Sequence, residues 1–278
     1  MNLAPPPPNA GTLYLIPVPL GPQPAEQVLP LPVRERAATL THFIAENAKS
    51  ARAFLKSLPC TRPVQEIHID ELNEHTPASA LPALLEPLLS GHDTGLISEA
   101  GCPAVADPGA GLVALAQARG IRIVPLTGPS SILLALMASG LSGQNFAFHG
   151  YLPAKDDQRQ KRILELEKDS RSAQRTQIFI ETPYRNRKML EALLKHCSPQ
   201  TRICVATDLT LESEQILTLS VAQWKKRGLP DIDRRPTVFL LQSAQPPAKC
   251  CIRVTPDTHQ PPSTVFHATV TLVQADRK

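Results

Sequence analysis

Two short loops rich in glycine, proline and small polar residues are the parts of this sequence best suited to chemistry. The first, SEAGCPAVADPG, spans residues 98–109 and follows the apolar run 94–97. The second, TGPSS, spans residues 127–131 and follows the run 121–126. Glycine lets a backbone turn sharply and approach a ligand closely, and proline stiffens such a loop in advance. Both loops therefore suit a site that contacts a flat or charged ligand largely through backbone groups.

Each loop also has a simpler interpretation as the start of a helix. Asp107 can cap a helix that begins near Gly109, and Ser130 or Ser131 can cap the helix that follows the second loop. Neither Gly-x-x-x-x-Gly-Lys-Ser/Thr nor Gly-x-Gly-x-x-Gly occurs in the chain. The absence of both motifs disfavours a phosphate-cradling loop and an ordinary dinucleotide-binding fold.

The composition is that of an ordinary folded protein. The chain has 278 residues, 42% of them hydrophobic and 19% charged, and a net charge of +4 that permits a nucleic-acid partner without requiring one. No apolar run approaches the ~18 residues of a membrane span, and the start of the chain does not resemble a signal peptide. Six scattered cysteines form no C-x-x-C pair, and the eight histidines lie at no metal-like spacing. We expect a cytoplasmic protein with reduced thiols, no membrane association and no metal.

The elements that must position the two loops alternate between strands and helices. Strands are predicted at residues 13–17, 94–97, 121–126, 146–148, 177–180, 202–207 and 238–241, with an extended run at 215–218. Helices are predicted at residues 36–58, 81–89, 111–119, 130–139, 158–168 and 185–196, with a short one around Trp224. This alternation predicts an α/β protein.

The pattern divides the chain near Leu126 into two α/β lobes with a ligand cleft between them. The predicted parts are a proline-rich tail at 1–12, lobes at 13–126 and 127–245, and a tail at 246–278. In an open parallel sheet, ligands bind beyond the carboxyl ends of the strands, which is where both glycine-containing loops are predicted to lie.

Six segments of the sequence resemble, in order, the motifs of one family. They are LYLIPVPLG, LISEAGCPAVADPG, VPLTGPSS, FHGYLPAK, FIETPYR and CVATDLT. On these segments the chain resembles the tetrapyrrole-methylase superfamily of S-adenosylmethionine-dependent methyltransferases, within it the branch of small-subunit ribosomal RNA cytidine 2′-O-methyltransferases. The resemblance covers about residues 13–241 and implies the tetrapyrrole methylase fold, with the cofactor between the lobes.

The resemblance also implies which residues contact S-adenosylmethionine. Carried over motif by motif, the cofactor-binding candidates are Gly101, Cys102, Pro103, Ser131, Ile132, Ile180, Ala206 and Thr237. Cys102 stands where many members of the family have an acid. For the apolar candidates, packing in the core is an alternative explanation.

Methyl transfer to a hydroxyl needs alignment and help in removing the hydroxyl proton. The candidates for a catalytic base are Glu99 and Lys155, which lie in the matched segments, and Glu46, which aligns with the first acid of another family block. Their simpler interpretations are a helix-capping acid for Glu99, a solvated helix residue for Glu46 and a surface lysine for Lys155. For Glu46, on the helix predicted at 36–58, the solvated position is favoured.

Departures from the family concentrate where the substrate is expected. The ribosomal branch carries Glu-Asp-Thr-Arg where this chain has Glu46-Asn47-Ala48-Lys49, and Arg-Glu-Leu-Thr-Lys where it has residues 207–211. A late Gly-Glu is replaced by Arg235-Pro236. We expect a divergent methyltransferase that acts on a ribose hydroxyl of ribosomal RNA. A methyltransferase of a small tetrapyrrole-like molecule and a non-catalytic module that binds RNA or protein are the alternatives.

Cations after two of the motifs are the expected RNA contacts, since a phosphate backbone is attracted to a basic rim. The RNA-binding candidates are Arg159, Arg162, Arg185 and Lys188. Neighbouring acids dilute this charge, and aromatic residues that can stack on unpaired bases make up only 4% of the chain. Homodimerisation, usual in the superfamily, would extend the basic surface over two subunits.

Overall fold

The computed structural model describes residues 9–58 and 63–244, and the predicted tail 246–278 lies outside them, as do residues 1–8 of the predicted tail 1–12. The strands are Leu13–Leu15 (β1), His42–Ala45 (β2), His68–Glu71 (β3), Thr94–Ile97 (β4), Ile123–Pro125 (β5), Phe146–Tyr151 (β6), Thr176–Ile180 (β7), Arg202–Thr207 (β8), Gln215–Ser220 (β9) and Thr237–Gln242 (β10). The α-helices are Leu31–Thr39 (α1), Ala48–Lys56 (α2), Leu81–Leu84 (α3), Glu86–Leu89 (α4), Gly109–Ala118 (α5), Ser131–Ser139 (α6), Asp156–Ala173 (α7), Asn186–His196 (α8) and Val221–Arg227 (α9).

The strands form two five-stranded sheets, which confirms the predicted α/β class. The first sheet has the order β3-β2-β4-β1-β5, and all of its pairs are parallel. The second has the order β6-β7-β10-β8-β9 and is mixed, because only β6 and β7 run parallel. The division predicted near Leu126 falls between β5 and β6. Helix α6, which follows it in sequence, packs on β8, β9 and β10 of the second sheet.

The helix predicted over residues 36–58 is wrong, because strand β2 interrupts it. Phe43 and Ile44 are both buried but belong to core clusters on opposite faces of the sheet. Neighbouring side chains that need two different cores are compatible with a strand and not with one face of a helix. Asn47 then starts α2 by accepting hydrogen bonds from the backbone N–H groups of Lys49 and Ser50 at 2.8 and 3.3 Å.

Strand β3 has no counterpart among the predicted strands. Its sequence, HIDE, contains a single apolar residue, and most of its side chains are exposed at the edge of the first sheet. An edge strand buries little surface, so it lacks the apolar run by which inner strands such as β4 were recognised.

Alternating side chains of the strands supply a core on each face of each sheet. In the first sheet, Leu96 packs towards α3, α4 and α5, whereas Ile97 packs towards α1 and α2. In the second sheet, Val205 packs towards α7, α8 and α9, whereas Ala206 faces α6. Among residues 9–58 and 63–244, the layer around α6 is the one that contains a residue of the other lobe, the partly buried Leu20.

The first lobe also contacts the second through the turn after β1. Gln23 donates a hydrogen bond from Nε2 to the Thr210 hydroxyl at 2.5 Å, and a Cβ on Gly21 would lie 3.0 Å from the Leu211 side chain. These contacts join the loops at the carboxyl end of the first sheet to the loop between β8 and β9. Within residues 9–58 and 63–244, none of the helices has the length and apolarity that crossing a membrane requires.

Candidate active site

A cavity of about 350 Å³ lies between the two lobes, at the carboxyl ends of β2, β4, β6, β7 and β8. Its size is within the range of ordinary small-molecule sites. Both glycine-containing loops contribute to its wall, and so do residues of the second sheet. The cleft predicted from the order of the strands and loops is therefore present.

The first glycine loop is held in place by backbone contacts with its neighbours. Gly101 and Val18 exchange two backbone hydrogen bonds of 3.0 and 3.1 Å, and Gly101 has a positive φ of 72°. The Cys102 thiol lies 3.4 Å from the carbonyl oxygen of Pro129, where it can donate a hydrogen bond to the second loop. Ala104 and Ala106 also have positive φ angles, of 64° and 62°. A non-glycine residue adopts this conformation at a cost, so the surrounding contacts must enforce the shape of the loop.

Asp107 stabilises the same loop from within. Its carboxylate accepts hydrogen bonds from the backbone N–H groups of Ala104 at 2.9 Å and Gly109 at 2.7 Å. Burial raises the pKa of Asp107, and these two hydrogen bonds oppose the rise. Pro108, and not Asp107, is the capping residue of α5, but Asp107 supports the start of this helix through the Gly109 N–H, and its side chain also borders the cavity.

The second glycine loop packs tightly against the turn after β1. A Cβ placed on Gly128 would lie 2.3 Å from Cβ of Pro17, so only glycine fits there. Ser130 caps α6 by accepting a 3.5 Å hydrogen bond from the backbone N–H of Leu133. The capping interpretation of Ser130 is thus confirmed, and Ser131 and Ile132 at the start of α6 border the cavity.

Three aliphatic side chains from adjacent strands form an apolar floor. Val238 on β10 pairs with Ile180 on β7 and with Ala206 on β8. Residues paired in this way point to the same face of a sheet, and all three belong to the core layer around α6. Thr237 also borders the cavity, but its hydroxyl already donates a 3.0 Å hydrogen bond to the Arg235 carbonyl oxygen.

Two carboxylates of the first lobe lie together at the cavity. Glu46 follows β2 and Glu99 follows β4, and these strands are paired side by side with Ala45 opposite Ile97. The Glu46 carboxylate accepts a hydrogen bond from the backbone N–H of Glu99, and the Glu99 carboxylate accepts one from the hydroxyl of Ser50. Burial raises the pKa of Glu46, and the negative charges of Glu99, Asp107 and Glu74 raise it further.

The position of Glu46 overturns the solvated helix position favoured from the sequence. Because β2 interrupts the predicted helix, Glu46 is the first residue after a parallel strand and not a residue on a helix surface. The carboxyl end of a parallel strand is where such sheets place functional side chains. Glu46 is accordingly half-buried and borders the cavity.

Two further carboxylates border the cavity, and sequence reasoning missed both as site residues. Glu181 is buried and accepts hydrogen bonds from Nε and Nη2 of Arg185 at 3.0 and 2.6 Å. Asp208 is buried, accepts a 2.8 Å hydrogen bond from Nε of Arg235, and forms a salt bridge with the same guanidinium. The Asp208–Arg235 pair joins two of the segments in which the sequence departs from the family. No sequence signal pairs residues so far apart.

Most of the predicted cofactor-binding and catalytic residues meet at the cavity. Those that border it are Glu46, Glu99, Gly101, Cys102, Ser131, Ile132, Ile180, Ala206 and Thr237. Pro103 is buried and does not reach the cavity surface, so its contribution is to the shape of the loop. Lys155 is exposed, precedes α7 and does not border the cavity.

The four predicted RNA-binding cations have different environments. Arg159 is 7% exposed, and its guanidinium donates to the Ala154 carbonyl oxygen and to Asp156. Arg162 donates to Glu165 and contacts His149, and Arg185 is held by Glu181. Lys188 is exposed and takes part in no salt bridge among residues 9–58 and 63–244. Burial of Arg159 removes most of its guanidinium from the reach of a partner, whereas Lys188 is accessible.

The chain matches the family model described as Tetrapyrrole (Corrin/Porphyrin) Methylases over residues 12–224. This chain belongs to the tetrapyrrole methylase family. The family uses S-adenosylmethionine, so this member is an S-adenosylmethionine-dependent methyltransferase, as the motifs predicted.

The sequence is also similar to individual proteins whose names are known. Ribosomal RNA small subunit methyltransferase I of Vibrio cholerae serotype O1 is 32% identical over 222 residues, which cover 78% of this chain and 71% of the relative. The protein of the same name from Xylella fastidiosa is 32% identical over 237 residues, 83% of this chain and 80% of the relative.

Solved structures of tetrapyrrole methylases have the same fold. The crystal structure of the methyltransferase CobJ matches with a TM-score of 0.58 and 19% identity, covering 84% of this chain and 95% of that chain. The cobalt precorrin-4 methyltransferase CbiF matches with a TM-score of 0.55 and 13% identity, covering 83% and 94%. At these identities the likeness shows the fold, and it confirms the predicted two-lobed architecture.

The charges around the cavity of this tetrapyrrole methylase suit S-adenosylmethionine, whose sulfur atom carries a positive charge. Five carboxylate side chains border it, namely Glu46, Glu99, Asp107, Glu181 and Asp208. Among the residues that the structure describes, no lysine, arginine or histidine borders it. Glu181 and Asp208 are already paired with Arg185 and Arg235. The remaining three carboxylates favour a positive charge in a low-dielectric cleft, and the aliphatic floor suits the apolar parts of the molecule.

Proposed function

We propose that the chain transfers a methyl group from S-adenosylmethionine to a ribose 2′-hydroxyl of ribosomal RNA. The observation that carries the proposal is the 32% identity to a ribosomal RNA small subunit methyltransferase over 78% of this chain. The cavity supports it, because the same motifs that carry the similarity meet there. The ribose hydroxyl as acceptor comes from the resemblance of those motifs to the 2′-O-methyltransferase branch.

In the proposed reaction, S-adenosylmethionine supplies an electrophilic methyl group bound to a positively charged sulfur. The chain holds the two reactants in line, and alignment of this kind can contribute about 7 to 11 kcal/mol of the barrier. Gly101, Ser131 and Ile132 contribute to the wall from the two loops, and Ile180, Ala206 and Val238 exclude water from the floor.

Glu46 is the residue we assign to removal of the hydroxyl proton. Its raised pKa makes its carboxylate a stronger base than an exposed glutamate, and its position at the cavity allows contact with an acceptor. Glu99, fixed by Ser50, is the second candidate for this role. Lys155 is less suited to it, since it lies outside the cavity.

Methylation of RNA by the purified protein tests this function directly. The protein is incubated with isotope-labelled S-adenosylmethionine in three separate reactions. The acceptors are small-subunit ribosomal RNA in the first, total small-molecule extract in the second and cellular protein in the third. We expect label in the RNA, released as 2′-O-methylated nucleosides after nuclease digestion. Label confined to the small-molecule fraction would support a metabolite methyltransferase instead, and label in a base would overturn the ribose assignment.

A homodimer is part of the proposed function, and helix α6 supports it. Leu133 and Met137 are four residues apart on this helix and are 50% and 79% exposed. Large apolar side chains four residues apart share one face of a helix, and an exposed apolar face commonly marks a protein interface.

Light scattering of the wild type and a Met137→Glu variant tests the dimer. We expect a dimer for the wild type and a shift towards monomer for Met137→Glu, because a buried interface does not accept an unpaired carboxylate. Leu164→Glu is the matched control, since Leu164 is 44% exposed on helix α7. A monomeric wild type, or a dimer that resists Met137→Glu, would contradict this interface.

A further inference from the structure

Two of the three tyrosines of the chain are exposed beside the mouth of the cavity. Tyr151 ends β6, borders the cavity and is 56% exposed. Tyr184 lies in the turn after β7, next to the cavity residue Pro183, and is 71% exposed. Strands β6 and β7 are adjacent and parallel, and Tyr151 is paired with Ile180. Both tyrosines therefore lie at the carboxyl ends of these two strands. Two exposed aromatic rings next to one cavity form a surface that a ligand can cover.

The backbone directs Tyr151 towards the cavity by an irregularity at the end of β6. The register between β6 and β7 shifts between Phe148 and Tyr151, and Gly150 in this interval has a positive φ of 62°. A bulge of this kind re-aims the side chain that follows it. Without this register shift, the Tyr151 ring would point in a different direction at the end of β6.

Tyr184 is held by a short network of polar contacts. The guanidinium of Arg185 lies 5.8 Å from the centroid of the Tyr184 ring, and the same guanidinium is bound by the buried Glu181. The ion pair fixes the cation, and a cation near the ring restrains the aromatic side chain in turn. Arg185 therefore acts as a support for Tyr184, in addition to any contact of its own with a phosphate.

We infer that Tyr151 stacks on the base of the acceptor nucleotide and that Tyr184 stacks on an adjacent unpaired base. The inference rests on the proposed function and narrows its substrate to RNA whose acceptor nucleotide is unpaired. Aromatic rings stack on any base through its π-face, which a base in a duplex does not present to a protein. Although aromatic residues make up only 4% of the chain, two of them lie where stacking would be useful.

The charge distribution favours the same mode of entry. Glu46, Glu99 and Asp107 take part in no salt bridge among the described residues and repel phosphates, whereas the neutral ribose and base can enter. Cations lie outside it on helix α8, which begins two residues after Tyr184: Lys188 is exposed, and so is Arg187, which is paired with Glu191. A single nucleotide can thus reach in while its flanking phosphates stay at the rim, as in enzymes that take a nucleotide out of its stack.

Binding of a labelled 15-nucleotide RNA of mixed sequence, alone and annealed as a duplex, tests the inference in the full-length protein. We expect Tyr151→Ala to weaken binding of the unpaired RNA about ten-fold or more, and Tyr184→Ala to weaken it by a smaller factor. Tyr151→Phe keeps the ring and should stay within about two-fold of the wild type. Duplex binding should be unaffected by all three substitutions.

Two controls separate stacking from other roles of these tyrosines. Leu164→Ala removes a partly exposed apolar side chain of helix α7 and should leave RNA binding unchanged. The affinity for S-adenosylmethionine should be the same in the wild type and in Tyr151→Ala. A loss of cofactor affinity equal to the loss of RNA affinity would overturn the inference, as would wild-type binding of unpaired RNA by Tyr151→Ala.

Failure of the inference differs from failure of the proposed function. If the wild type neither binds nor methylates any RNA, both are overturned. If the wild type methylates RNA and Tyr151→Ala methylates it with the same kcat/KM, only the stacking role is overturned.

Discussion

Replacing Glu46 by glutamine is expected to lower kcat for methyl transfer by about 10²- to 10⁴-fold, the usual contribution of a positioned base. Glutamine has the same shape, and its side-chain oxygen can still accept the hydrogen bond from the Glu99 backbone N–H. The affinity for S-adenosylhomocysteine, which carries no sulfonium charge, should therefore change little. Steady-state kinetics with small-subunit ribosomal RNA, together with a titration with S-adenosylhomocysteine, measure both quantities. A Glu46→Gln enzyme with wild-type kcat would show that the base lies elsewhere, with Glu99 the next residue to replace.

The pH dependence distinguishes a base from a structural carboxylate. A base must be ionised, so kcat/KM should fall as the pH drops through the pKa of Glu46, which lies above its ordinary value of 4.5 because of burial and neighbouring carboxylates. Glu46→Gln should lack this acidic limb. The exposed Glu35 on helix α1 provides the matched control, since Glu35→Gln should keep the limb.

Folding stability gives an independent check of the same residue. A carboxyl group whose pKa is raised on folding binds its proton more tightly in the folded state, so its ionisation at neutral pH lowers the free energy of unfolding. Glu46→Gln should therefore be at least as stable as the wild type at neutral pH. A clear loss of stability would indicate that Glu46 serves the fold.

Replacing Gly128 by alanine is expected to reduce the affinity for S-adenosylmethionine by at least ten-fold. The new Cβ would lie 2.3 Å from Cβ and 2.7 Å from Cγ of Pro17. Relief of this overlap requires the second glycine loop to move away from the turn after β1, which displaces Ser131 and Ile132 at the cavity wall. Forced shifts of this size typically cost about 1–3 kcal/mol of folding stability as well. Calorimetric titration and thermal unfolding measure the two effects.

Two further variants test the packing explanation even if Gly128→Ala folds poorly. Gly143→Ala is the matched control, because a Cβ there would meet no atom within 4 Å. The double variant Gly128→Ala/Pro17→Gly removes the atoms that clash and should regain part of the cofactor affinity. Wild-type affinity in Gly128→Ala, or no recovery in the double variant, would contradict the packing explanation.

Most of the fold could be predicted from the sequence because most strands and helices have a recognisable local pattern of apolar residues, glycine and proline. Strand β8 was predicted with its observed bounds, since its short and nearly continuous apolar run is typical of a strand buried on both faces. Gly120 and Gly140, both with positive φ, mark the ends of α5 and α6. Strand β2 was lost because its apolar residues continue the helical spacing of the helices on either side. A local pattern cannot show that the two apolar faces belong to different cores.

The site was predictable where backbone shape carries the signal and not where distant side chains meet. Glycine and proline identified both loops before the structure placed them at one cavity. The sequence could have predicted the ion pair of Glu181 and Arg185, which are four residues apart. It could not have predicted that Glu181 is buried. The Asp208–Arg235 ion pair joins the loop after β8 to the loop before β10, so only the folded chain brings it together. Tyr151 was missed because its direction depends on the irregular end of β6.

Calorimetric titration with S-adenosylhomocysteine, the demethylated product of the cofactor, tests the central claim that the inter-lobe cavity binds the methyl donor. The wild type should bind one molecule per chain with micromolar affinity. Ala206→Leu should bind at least ten-fold more weakly at an unchanged fold by circular dichroism, because Ala206 borders the cavity and a leucine there occupies part of its volume. Absence of heat and of thermal stabilisation at millimolar ligand in the wild type, or equal affinity in Ala206→Leu, would contradict the claim.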